Sequence, residues 1–157
     1  MFIRYYLELD VPLDEVGRVL FADPSSWVPG VVRETDDRAQ RLLTEVGFDV
    51  GDTRIDKEVE VAVGAPQVFP SKTLLPVSWA PRGSERLLPQ LDADIEIAPL
   101  GSGRTQLSMS ARYRPPLGAV GKALDKALLH RVAEATIKDF LDRTAGRLAA
   151  ATRAAGG

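Results

Sequence analysis

From Arg114 to Leu148 the chain reads R-P-P-L-G-A-V-G-K-A-L-D-K-A-L-L-H-R-V-A-E-A-T-I-K-D-F-L-D-R-T-A-G-R-L, its longest helical pattern. Pro115 and Pro116 stop whatever precedes it, because neither offers an N–H to a strand ladder. Ala, Leu, Lys and Arg then dominate, all good helix formers. Glu134 with Lys138, and Asp139 with Arg143, stand at i,i+4 in the favourable order. At about 100° per residue, Leu117, Val120, Leu124 and Leu128 share one side. Leu129, Val132, Ala133, Thr136, Ile137, Phe140 and Leu148 share another. The apolar face therefore switches near Leu128 to Arg131. A bend, two halves burying different faces, or a dimer contact through one half would each produce it.

Most of what precedes this helix alternates, and such strands need it as their cover. In residues 2–11, Ile3, Tyr5, Leu7, Leu9 and Val11 oppose Arg4, Tyr6, Glu8 and Asp10, which predicts a half-buried strand ended by Pro12. Residues 13–22 read as a short helix with Asp14 and Glu15 in its first turn, where the dipole favours acids. Asp23-Pro24-Ser25-Ser26 starts a second short helical turn through Trp27, closed by Pro29-Gly30. Six more strands follow: Val31–Thr35, Gln40–Phe48, Arg54–Val63, Lys72–Ala80, Leu91–Ala98 and Thr105–Tyr113. Their steady alternation predicts a sheet with one wet face and one covered face. On Arg54–Val63 the inward set is Ile55, Lys57, Val59, Val61 and Val63; on Thr105–Tyr113 it is Leu107, Met109, Ala111 and Tyr113.

The expected order is strand, two short helices, six strands in meander and one long helix. It resembles the helix-grip fold of the START-like, SRPBCC superfamily, which includes the birch-pollen allergen and polyketide cyclase/dehydrase families. In D-P-S-S-W-V-P-G-V, Trp27, Pro29 and Gly30 match the Trp, Pro and Gly those proteins carry after the first short helix. The stretch from Tyr113 to Arg143 resembles uncharacterised bacterial members. The resemblance implies an α+β domain over residues 1–148: a curved, seven-stranded antiparallel sheet wrapping the helix, with an apolar ligand cavity between them. Residues 149–157 read as a flexible tail.

A length of 157 residues fits one domain with a real core. A net charge of −2 gives no electrostatic case for nucleic acid or an anionic membrane. The chain has no cysteine, hence no disulfide, thiolate or cysteine metal site. Its first ten residues suit neither a signal peptide nor a membrane span, so we expect a cytoplasmic protein without membrane insertion.

Chemistry-bearing groups are few. His130 is the sole histidine, so it cannot build a histidine metal site alone. Glu134 lies one turn on and could orient it as a general base, unless both belong to a solvated face with Lys126 and Lys138. Lys57 is inward by phase, and either binds an acid group or snorkels to the rim. Tyr5, Leu7, Val59, Val61, Trp79, Met109 and Tyr113 either line a ligand cavity or fill the core. The loop 81–90 has the length of a lid, and Leu87 and Leu88 close the pocket or cap the open end of the sheet. No metal or cofactor is called for, and no G-x-S-x-G, H-E-x-x-H, Walker or G-x-G-x-x-G pattern is present. The expected partner is a small hydrophobic molecule, with oligomerisation through the C-terminal helix a further option. A cyclase/dehydrase-type enzyme and an interaction module with a closed cavity are the alternatives.

Overall fold

The computed structural model describes residues 2–35, 40–50, 52–81, 90–114 and 126–156. The elements are β1 (Phe2–Leu9), α1 (Leu13–Leu20), a 3-10 turn (Pro24–Ser26), β2 (Val32–Thr35), β3 (Gln40–Val50), β4 (Thr53–Val63), β5 (Gln67–Val68), β6 (Thr73–Pro81), β7 (Gln90–Pro99), β8 (Thr105–Arg114) and α2 (Lys126–Gly156). One antiparallel sheet runs β1-β8-β7-β6-β4-β3-β2, with β5 paired to β6 off that path. This is the expected α+β helix-grip architecture. The path holds the strands that the alternation predicts; β5 is the addition, too short to show a period.

Register aligns the inward side chains into rows, because cross-strand partners point to the same face. One row is Leu42, Val61, Trp79, Leu91 and Tyr113; the next is Val63, Val77, Ala93, Ala111 and Ile3. A third runs Leu75, Ile95, Met109 and Tyr5. On the outer face Asp92 pairs with Arg114, Glu96 with Arg4 and Lys72, and Asp56 with Arg54.

α2 covers the inner face and buries Ala133, Thr136, Ile137, Phe140, Leu141, Thr144 and Leu148. The Phe140 ring lies 5.0 Å from that of Trp79, tilted by 58°. Side chains on the two flanks of the helix tie it down. Arg54 of β4 donates two hydrogen bonds to Asp139, at 2.8 and 2.7 Å, and a third to Asp56 at 2.8 Å. These carboxylates hold the guanidinium proton more tightly than usual. Arg143 donates to the Glu45 carbonyl at 2.6 Å and pairs with Asp139 at 3.3 Å. On the opposite flank the Tyr5 hydroxyl donates to Asp142 at 2.8 Å. Lys138 also pairs with Asp142, at 2.9 Å, rather than with Glu134 as spacing suggests.

At the far end, Arg147 reaches the Ser25 carbonyl of the 3-10 turn at 3.4 Å, and Asp23 caps that turn by accepting from the Ser25 N–H. The helix continues past Leu148, through the residues expected as a flexible tail, to Gly156. Its alanines are the best helix formers, and Thr152 is buried with its hydroxyl on the Leu148 and Ala149 carbonyls. The first apolar face read from sequence (Leu117, Val120 and Leu124) lies outside the described residues, as does the Leu128 side chain.

Candidate functional site

The inner face is built by strands and therefore rigid. Val59, Val61, Trp79, Met109 and Tyr113 are all buried in it, and Leu7 packs against its edge partly exposed. Val59, Val61 and Trp79 stand on the central strands β4 and β6, with the Trp79 ring against Phe140. Tyr113 sits near the end of β8, with its ring centroid 6.4 Å from that of His130 in the first turns of α2. His130 is half-buried, and its Nε2 lies 3.6 Å from a Glu134 carboxylate oxygen. The structure thus brings Tyr113, His130 and Glu134 together. Alternation alone could not find that grouping, because it needs the helix start to be laid over β8.

Lys57 is half-buried on β4, in register with Val46 and one inward position beyond Val59. It belongs to the part of β4 that runs past Pro81, the last residue of β6. The Tyr5 O–H donates to Asp142, and the Lys138 ammonium stands 5.7 Å from its ring centre. It helps mount the helix. Leu87 and Leu88, and the entrance expected beside them, fall outside the described residues. Among the described residues, no three or more of His, Cys, Asp and Glu gather as a metal site requires, and no helix is long and apolar enough to cross a membrane.

Burial raises the Tyr113 phenol above its ordinary value. The Tyr5 phenol is raised as well, by burial first and then by the Asp142 hydrogen bond. The folded state binds these protons more tightly than the unfolded chain does. Their stabilising contribution is therefore complete below the ordinary phenol value of about 10 and is lost as pH rises through the folded value. Ultraviolet difference absorbance should show two late alkaline ionisations, that of Tyr5 remaining and the other disappearing in Tyr113→Phe. A wild-type titration unchanged by that substitution would contradict the burial of this ring.

Neither a family model nor a curated protein matches the sequence. Solved structures do match the fold. A conserved protein from Geobacillus kaustophilus aligns with a TM-score of 0.55 at 20% identity, over 95% of each chain. A START superfamily protein from Mycobacterium smegmatis aligns at 0.54 and 14% identity, over 97% of each chain. An aromatase/cyclase from Streptomyces aligns at 0.54 and 13% identity, over 98% of this chain and 93% of its own. At such identities the likeness establishes a START-like fold and nothing about the reaction or ligand.

Proposed function

We propose that the protein binds a small hydrophobic molecule between the inner face of the sheet and the first turns of α2. One observation carries this reading: the inner face is apolar row after row, and Tyr113, beside His130, offers a polar group where the helix begins. A pocket of apolar walls with few polar groups suits an apolar ligand held by one or two hydrogen bonds. Val59, Val61, Trp79 and Met109 would form the walls with Leu7 at the edge, Tyr113 and Lys57 would orient the ligand, and Leu87 and Leu88 would close over it. The alanines Ala93 and Ala111 leave the middle of the sheet with little side-chain volume, which favours space above them. The fold points the same way, since it is shared with a START superfamily protein and an aromatase/cyclase.

The test is binding of a hydrophobic fluorescent probe, together with mass spectrometry of whatever small molecule survives purification. Wild type should bind the probe and gain melting temperature with its concentration. Val61→Trp, which fills the pocket, should lose both effects while remaining folded. If wild type binds neither probe nor lipid-like ligand, the binder reading fails and an interaction module with a closed interior takes its place.

A cyclase/dehydrase-type reaction on the same class of ligand is the second reading, favoured by the Tyr113–His130–Glu134 grouping alone. General acid–base work needs a titratable group at the ligand. Under the binder reading, His130→Ala keeps the fold and the probe affinity. A turnover assay on a bound polyketide-like compound that collapses in His130→Ala would promote the enzyme reading.

A further inference from the structure

Three large apolar side chains left in water gather near one end of the molecule: Phe21 at 38% exposure, Val68 at 78% and Phe69 at 46%. Phe21 closes α1. Val68 belongs to β5, where its register with Thr73 of β6 holds it in place. The Phe69 N–H donates to the Lys72 carbonyl at 2.9 Å, and Pro66 and Pro70 bracket the pair. Val68 and Phe69 thus form a fixed ridge rather than a floppy tip. Between the ridge and α1 lies an open trough of about 470 Å³, with Val68 on one wall and Leu13, Gly17, Phe21 and Ile97 among the others. A Cβ on Gly17 would stand 3.2 Å from the Phe21 ring, so glycine is what lets that ring lie across α1.

A ridge and a trough side by side on one surface are the ingredients of a two-fold contact, in which each copy supplies both halves. The charges agree. Asp14 and Arg18 are exposed one turn apart on α1, both border the trough, and neither has an ion-pair partner among the described residues. Two α1 helices meeting antiparallel would set Asp14 of each copy against Arg18 of the other. Asp14 and Arg18 cancel, so an anionic bilayer gains no net attraction from this pair, whereas a second copy of the chain pairs both. The outward side of α2 offers no such surface, being lined by Arg131, Glu134, Lys138 and Asp142.

We propose that this end of the molecule docks a second copy of the chain, the Val68–Phe69 ridge of each entering the trough of the other while Asp14 faces Arg18 across the axis. The contact lies on α1, β5 and the β6–β7 end of the sheet, not on the C-terminal helix.

Light scattering and sedimentation over a range of protein concentrations test it. Wild type should pass from monomer to dimer mass, and Val68→Asp with Phe69→Ser should stay monomeric with an unchanged circular dichroism spectrum. Asp14→Arg and Arg18→Asp, each placing like charges together, should each weaken the dimer by about tenfold or more. The Asp14→Arg/Arg18→Asp double variant should recover it. Monomer mass at every concentration overturns the proposal, as does a dimer indifferent to the ridge substitutions or a double variant that recovers nothing. Monomeric wild type that sediments with phosphatidylcholine vesicles, and stops doing so in Val68→Asp, overturns it in favour of a lipid surface.

Discussion

Phe140→Ala should lower the urea midpoint more than any other single truncation on α2. The ring is fully buried and stacks at a tilt on Trp79, with Ile137 and Leu141 buried beside it in the helix. Removing a buried Phe costs about 3–5 kcal/mol, and breaking the aromatic pair accounts for about 0.5–1.5 kcal/mol of such a loss. Against a domain stability of about 5–15 kcal/mol, that is a large share. The slope of the unfolding transition should not change, since the exposed area on unfolding is nearly the same. Phe140→Leu should recover most of the loss. Tyr6→Ser, at an exposed ring on the outer face, should stay within about 0.5 kcal/mol of wild type. A Phe140→Ala midpoint equal to that of wild type would mean α2 does not rest on the sheet at this residue.

The same substitution at two glycines should act in opposite directions. Gly47 of β3 pairs with Asp56 of β4, and a Cβ there would run into the Ile55 carbonyl and the Asp56 carboxylate. The Arg54 guanidinium would also stand only 2.9 Å away. Replacing Gly by Ala gains about 0.4–1 kcal/mol from the unfolded chain where the site can take it. Overpacking costs about 1–3 kcal/mol, and an obstacle made of backbone cannot swing aside, so the cost wins. Gly47→Ala should be destabilising and should disturb the Arg54–Asp139 clasp. Gly146 lies on the exposed side of α2 with nothing within 4 Å of a built Cβ. Gly146→Ala should stabilise by about 0.5–1 kcal/mol, the helix propensity difference. Chemical denaturation of the two variants side by side decides it; a stabilised Gly47→Ala would mean β3 and β4 are not in this register.

Period-2 alternation placed the strands of the sheet path because each of those strands has a wet face and a buried face, and burial writes itself into every second residue. Phe140 and Thr136 were legible on the helix for the same reason at period 3.6. β5 was not, since Gln67 and Val68 are both exposed and two residues carry no period. The neighbours of β1 were not written in any pattern either; the pairing of Tyr5 with Met109 shows only in the structure. The clasp between Arg54 and Asp139 joins residues far apart in sequence, and each alone reads as a surface charge. Tyr5 is inward by phase, but phase gives the face of the sheet and not the partner waiting on it, which is Asp142. The Tyr113–His130 neighbourhood likewise required the crossing point of α2, which no local rule supplies.

The pairing of β1 with β8 also sets an order of events during synthesis. β1 is made before the other strands of the sheet, and its whole register, from Phe2 opposite Arg112 to Leu9 opposite Thr105, lies on the strand that emerges after all of them. At about 5–20 residues per second, the ribosome would keep β1 waiting roughly 5–20 s for a partner. Through that interval a half-apolar strand has no ladder to join, while β3, β4, β6 and β7 can already zip as hairpins and neighbours. The clasp of Tyr5 on Asp142 comes later still. The nascent chain is therefore a growing sheet with its oldest strand loose, and the closing event of folding returns that strand to an edge that α2 then seals.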